Sequence, residues 1–517
     1  MAPLTTHASY DEVPYDGGVA HNTHPQNAAV IARLFGLTPA SVDTARVLEI
    51  GCGAGRNLIP MAYALPGSTF FGMDLSPVHI SQATAAAEKL GLTNITFQQS
   101  DVRDFQPGGQ FDYIICHGVF SWVPLEARAA ILRICRSHLA PNGIANISYN
   151  VLPGWHARGA LREMMRFHAR HFPEHTERIG QARAFASFLA DATSQFATTS
   201  PAISAYHELL AAEVKVIQDR PDFYVMHEHL AEVNDPTYFL DFVDLVDGAG
   251  LQYLGDANFA SMLSENLPPE VRAELDEISP NHLIMEQYRD FLVNRTFRQS
   301  LLVHSEAAVS RKIDAARIRQ FSFRAALKPQ TDGTWWVPQA GDTAKELRSP
   351  VVLAILETVA SKLPNSIRFD TLLAAVPEAT WPDDQSASER PDFLAALLLS
   401  LFAADGLEFR CWDPAIATAI AERPRAFGPA LFIDNNFGTP SPFHVSIGFD
   451  RFVAWLMPLL HGVLTTQQLT DVIEARISDG SLTFESLPDG ISNDRALAEQ
   501  LVETALEQLL RSGILEP

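Results

Sequence analysis

Four residues at alternate positions, Glu49, Gly51, Gly53 and Gly55, carry the clearest chemical signal in this 517-residue chain. They lie in RVLEIGCGAGRN, where an aliphatic run holding one acid stops at a cluster of glycines around Cys52. A residue without Cβ lets the backbone turn tightly and lets a ligand press against it. A dinucleotide would call for G-x-G-x-x-G. The position that pattern needs is Arg56, so a pyrophosphate seated on a helix N-terminus is not the expected ligand. A second acid, Asp74, ends the run STFFGMD, 23 positions beyond Gly51. A carboxylate at about that spacing accepts hydrogen bonds from both hydroxyls of a ribose. The other reading of the glycines is a tight strand–helix junction with no ligand.

The surrounding segments decide between these readings. RVLEI is a short apolar run of the kind that forms a buried parallel strand. RNLIPMAYAL has helical spacing, with Pro60 expected in the first turn, where proline is tolerated. HISQATAAAEKLGL is a helix with a glycine near its stop. NITFQQS is a third strand followed by Asp101 and Val102, and FDYIIC a fourth that opens at Cys116 to Gly118. LEARAAILRICRSHL is a helix, and IANISYN a fifth strand. Strands alternating with helices predict an α/β fold with a Rossmann-like parallel sheet. Its ligands bind at the C-terminal edge of the strands.

The pattern E-x-G-x-G-x-G resembles the first motif of class I methyltransferases, which bind S-adenosylmethionine (SAM). More specific stretches are YDEVPY, THP, GCGAGRNLIPMA, FDYIICHGVFSWVP and SYNVLPGWH, then FYVMHEHLAEVNDPTYFLDFV and GLQYLGDANFASM. On these the chain resembles the bacterial protein-lysine methyltransferase group typified by rickettsial enzymes, over about residues 10–310. The later stretches are similar to its methyltransferase regulatory region. The resemblance implies SAM contacts at Gly51, Gly53, Asn57, Asp74, Leu75, Asp101, Val102 and His117, with Asp101 at the adenine amino group. It also implies an N-terminal lid that brings Tyr10, Tyr15 and His24 near the cofactor, and a dimer contact made by a helical insertion.

A lysine acceptor must lose a proton before it can attack, because an ammonium has no lone pair. SYNVLPGW follows the fifth strand, so Tyr149 and Asn150 are the expected amine-orienting groups and Trp155 an apolar or cation–π wall. His117, Phe120 and Trp122 come from the fourth strand. The alternative is that the three aromatics are core residues and His117 a hydrogen-bonding spacer. His168, His171 and His175, with Pro173 among them, and the pair His227 and His229 invite a metal. No acid or cysteine completes a tetrahedral set, and none is expected.

The domains expected are a SAM-binding core with lid over 1–157, a helical insertion over 158–220 and completion of the sheet over 221–265. A middle regulatory domain over 266–415 and a C-terminal domain over 416–517 follow. The last two each show helix, turn, helix, gap, helix, glycine and short strand, which suggests mainly α, winged-helix-like units. Residues 351–517 hold 23 acidic and 10 basic side chains, a net of −13. The whole chain carries −23. Nucleic acid is therefore not an expected partner; a basic protein or small cation is. The four cysteines form no C-x-x-C pair. The start lacks a basic and apolar leader, and the longest apolar run is too short to span a bilayer. These features predict a cytoplasmic protein, with a small-molecule methyltransferase or a SAM-binding regulator as the alternatives to a protein methyltransferase.

Overall fold

The computed structural model describes residues 17–263, 267–327, 329–339, 343–431, 438–483 and 493–517. Tyr10 and Tyr15, expected in the lid, lie outside them. The catalytic half is built on β1 (Arg46–Ile50), β2 (Thr69–Asp74), β3 (Ile95–Gln99), β4 (Phe111–Cys116) and β5 (Leu139–Asn150). The register is parallel throughout, with Glu49 of β1 level with Gly72 of β2 and Ile115 of β4. β1 is central and buried at all but Arg46, which is why its sequence is a continuous apolar run broken only by Glu49.

Helices α1 (Pro25–Leu34), α2 (Leu58–Ala64), α3 (Pro77–Lys89) and α4 (Leu125–His138) cover the two faces. α1 and α3 begin alike, with proline at the first position and a side-chain cap. His24 accepts from the Gln26 N–H and Ser76 from the His79 N–H. Pro60 falls in the first turn of α2.

α5 (Trp155–Ala169), α6 (His175–Phe196) and α7 (Pro201–Asp219) form the insertion, with a core of its own around Leu161, Met165, Ile179, Ala186 and Leu210. That core continues into Val225, Met226 and Leu230, beyond the expected boundary at 220. α8 (Phe239–Gly248) and β6 (Leu251–Asp256) follow, then α9 (Pro269–Ile278), α10 (His282–Leu292) and β7 (Phe297–His304).

The sheet is not completed near residue 265. Its order is β3-β2-β1-β4-β5-β7-β6, and β7 runs antiparallel between β5 and β6. The return strand is wedged in by a buried ion cluster. Arg298 donates to Asp290 Oδ2 at 2.8 Å and Glu286 Oε2 at 2.9 Å, and lies 3.4 Å from Asp256 Oδ2. This ties α10 and β6 to β7.

Beyond the sheet, β8 (Ser322–Ala325), α11 (Pro350–Ala360), β9 (Ile367–Arg368), α12 (Phe369–Ala375), α13 (Arg390–Ala403) and β10 (Leu407–Arg410) form a unit whose strands pair as β9-β8-β10. Its core is continuous with that beneath α1. Gln26 of α1 is buried between them, donating to the Phe409 carbonyl at 2.7 Å and accepting from the Cys411 N–H at 2.8 Å. The last unit holds β11 (Thr439–Pro440), β12 (Ser446–Ile447), α14 (Arg451–Leu456), α15 (Thr466–Ser478) and α16 (Asp494–Arg511). It packs on α2, where the Tyr63 hydroxyl donates to Glu516 Oε1 at 2.6 Å. No described helix is long and apolar enough to cross a membrane.

Candidate active site

A cavity of about 1250 Å³ opens at the C-terminal edge of the parallel strands. Its floor is the glycine turn after β1. Gly51 has φ +76°, and a Cβ there would lie 2.3 Å from Val119 Cγ2. Gly53 has φ +51° and open space where its Cβ would be, so a ligand can rest against the bare backbone. Gly55 does not line the cavity. A Cβ there would press on Ile59, Phe97 and Ala83, so Gly55 serves helix–sheet packing and not the ligand. Glu49, Cys52, Asn57, Asp74, Leu75, Asp101, Val102 and His117 do line it.

Each acid in the floor is held differently. Asp74 accepts the Gly53 N–H on Oδ2 and the Ser76 N–H on Oδ1, both at 2.9 Å. Each oxygen keeps a lone pair for a further donor. Asp101 is gripped by Arg103 through Nε at 3.0 Å and Nη2 at 2.6 Å, and these bonds hold its carboxyl below the usual range. Glu49 is buried and accepts from Asn57 Nδ2 on Oε1 at 2.7 Å, while its Oε2 has no partner among the described residues. Burial, with the nearby Asp74 charge adding, pushes its carboxyl up to about 8. An unpartnered buried carboxylate oxygen beside a glycine cradle calls for a cationic ligand group.

Asn57 is a junction that sequence reasoning saw only in part. Its Oδ1 accepts from the Ala20 N–H at 2.9 Å and from His444 Nε2 at 2.8 Å. His444 stands between β11 and β12 and is buried at φ +59°. Burial, with His21 nearby, pushes it down to about 3, so it is a neutral ring with its proton on Nε2. The C-terminal unit thus reaches the cofactor-side acid through one amide.

On the other side of β1, His117 is pushed down to about 4 by burial. Gln299 Nε2 donates to its Nδ1 at 3.1 Å, which leaves the Nε2–H as donor. Gln299 comes from β7 and also lines the cavity, as do Trp122, Phe223, Tyr224, His227 and Glu228. Sequence reasoning expects Trp122 at the site and weighs His227 only for a metal, whereas Gln299, Phe223, Tyr224 and Glu228 carry no expectation from the sequence.

Tyr149, Asn150 and Trp155, the expected amine-handling residues, do not line the cavity. Side chains alternate along a strand. Tyr149 therefore points into the core under α8, stacked 3.9 Å from the Phe242 ring and bonded to Ser300 Oγ at 3.0 Å. Asn150 is turned to Asn234 Oδ1 at 3.0 Å and to Ser121 Oγ through its N–H. Trp155 is buried edge-on against Trp122, with ring centroids 6.0 Å apart. It braces a wall residue. Phe120 is core, packed on Phe242. Among the described residues no group of three His, Cys, Asp or Glu is placed to hold a metal ion.

Comparisons with known proteins fit this geometry. A family model described as a methyltransferase domain matches residues 47–143, and one described as a predicted methyltransferase regulatory domain matches 221–304. The latter stretch supplies β6 and β7, so it builds the sheet as well. RP789 of Rickettsia prowazekii is 36% identical over 380 residues, 71% of this chain and 67% of that protein. RP028 of the same organism is 39% identical over 47% of this chain and 96% of its own length. The solved structure of PKMT2 from Rickettsia typhi in complex with AdoHcy superposes with a TM-score of 0.83 at 29% identity, covering 97% of this chain and 100% of that one. At such identity and coverage the relationship is one of family, and this chain belongs to the class I SAM-dependent methyltransferases that carry a methyltransferase regulatory domain.

Proposed function

We propose that this protein methylates lysine side chains of a protein substrate. The observation that carries this reading is one continuous cavity. It joins the glycine cradle and its acids to a second wall of Trp122, Tyr224 and Glu228, so a nucleoside and an amine can meet in it. The likeness to PKMT2, itself solved with AdoHcy, supports the cofactor side. The charge of −23 supports a lysine-rich partner through long-range attraction.

The residues fit SAM. Glu49 would take its ammonium, the Gly51 and Gly53 backbone its amino-acid end, Asp74 the ribose hydroxyls, and Leu75, Asp101 and Val102 the base. When bound, the cofactor supplies an electrophilic methyl group on a sulfonium. The chain's own work is positioning. His117 offers a neutral N–H donor fixed by Gln299. Trp122, braced by Trp155, excludes water beside it. Tyr149 and Asn150 act only through the walls they support.

A homodimer through α5–α7 belongs to the same proposal, supported by exposed Phe167, Phe188 and Phe196 on that insertion. So does a cytoplasmic site of action, supported by four cysteines that are all free. The test is transfer of label from isotopically labelled SAM in a cell extract. Label in protein, mapped to lysine by mass spectrometry, is expected. Label in small molecules alone, or in neither, overturns the lysine reading.

A further inference from the structure

We propose that Glu228 is the carboxylate that receives the acceptor's ammonium and takes its proton, which selects amines as the acceptors at this site. The proposal rests on the methyltransferase reading above.

Among the described residues four acids line the cavity, and three are committed: Glu49 to Asn57, Asp74 to the Gly53 and Ser76 amides, and Asp101 to Arg103. Glu228 alone carries no hydrogen bond or ion pair among the described residues. Its backbone places it there. Val225–His229 is a π-helical turn, with the Leu230 N–H reaching the Val225 carbonyl at 3.1 Å. A π-turn shifts the register of the side chains after it and recurs at functional sites. Val225, Met226, His227 and His229 are buried, and Glu228 is the member of the turn left half-buried at the cavity.

Among the described residues the two cations that pull on Glu228, Arg158 and Arg162, are occupied, and Arg220, which also lines the cavity, lies over the Tyr224 ring at 5.3 Å. Arg158 of α5 donates to Glu213 Oε2 at 3.0 Å. Arg162 of α5 donates to Glu163 and to the Ala231 carbonyl. The other ionisable groups around it are Tyr224, which precedes the turn, Arg220 beside Tyr224, His227 on the turn, and His229, on which Arg158, Arg162 and Arg183 act. Trp122, Phe223 and Tyr224 line the same cavity and supply apolar walls for a methylene stem. Glu228 itself would repel a carboxylate or phosphate acceptor at this wall.

The chemistry then balances. Burial raises the Glu228 carboxyl to about 7, against the pull of Arg158 and Arg162. The same desolvation lowers a buried ammonium, so the two acidities converge. An N–H bond of the ammonium breaks as an O–H bond forms on Glu228, leaving two neutral groups in a water-poor site. The freed lone pair forms the N–CH₃ bond. The C–S bond breaks with its electrons going to sulfur, and the product leaves as a methylammonium. Glu228 returns its proton to solvent.

The test uses n-butylamine, a lysine-stem mimic, titrated into the full chain saturated with AdoHcy. Wild-type affinity is expected to rise about ten-fold from pH 6 to pH 8 as a group near 7 ionises. Glu228→Gln should bind AdoHcy as wild type does, bind butylamine at least about ten-fold more weakly at pH 8, and show no such rise. Equal butylamine affinity in the variant, a flat wild-type profile, or no butylamine binding to the wild type overturns the proposal. Should the variant fold poorly, the wild-type profile still decides. Failure of the wild type to bind AdoHcy is a separate signal, which defeats the cofactor reading and this proposal with it.

Discussion

Glu49 is a protonated acid waiting for a cation. With its carboxyl near 8 it is neutral at pH 7, and an ammonium placed on Oε2 would ionise it. AdoHcy binding at pH 7 should therefore release about one proton, and affinity should fall as pH drops below 8. Calorimetry in buffers of different ionisation heat reads this directly. Glu49→Gln should release none. Tyr149 makes the opposite case. Tyr149→Phe should leave AdoHcy affinity unchanged and cost about 1 kcal/mol of stability in denaturant melts, the worth of one buried bond to Ser300. At this scale the sequence made the cofactor floor legible, because Gly51, Gly53 and Asp74 sit on a strand-turn pattern that is local in the chain. It misled on Tyr149 because alternation along β5 gives its face only once the register is known. The stretch HEH drew attention for its histidines, while Glu228 between them went unread. Nothing in the sequence shows that the turn is π-helical.

Among elements, β7 is the piece that local reading missed. Its partners, β5 and β6, precede it, and two helices intervene between β6 and β7. Helix and strand patterns are local, whereas an antiparallel return between two earlier strands is not. What holds β7 is charge as much as apolar contact. Arg298 is fully buried with Asp290, Glu286 and Asp256 around it. Arg298→Met should lower stability by about 3–5 kcal/mol, because it strands buried carboxylates without their cation. Thermal and urea unfolding check this. A wild-type midpoint in the variant would mean the cluster is not what pins the strand. Because Gln299 stands beside Arg298 on β7, the same change should also loosen the support of His117.

Across the whole molecule, the two C-terminal units are bolted to the catalytic sheet at Gln26 and Tyr63, and one of them touches the site's own network through His444. The helix, turn, helix pattern of the chain foretold the helices of these units. It could not foretell that residue 444 would meet residue 57, a contact between segments that share no local pattern. His444→Ala removes one donor from Asn57 and should weaken AdoHcy about five- to ten-fold while the fold persists. Unchanged affinity would make the C-terminal unit a bystander to the cofactor. The account as a whole stands on the cavity above β1 and β2 being the cofactor's seat, and equilibrium titration of AdoHcy into wild type and Asp74→Ala tests that most directly. The account predicts saturable binding of one AdoHcy per chain and a loss of about 100-fold in the variant, as two hydroxyl-to-carboxylate bonds disappear. Absence of binding at millimolar concentration, or equal affinity in the two proteins, would contradict it.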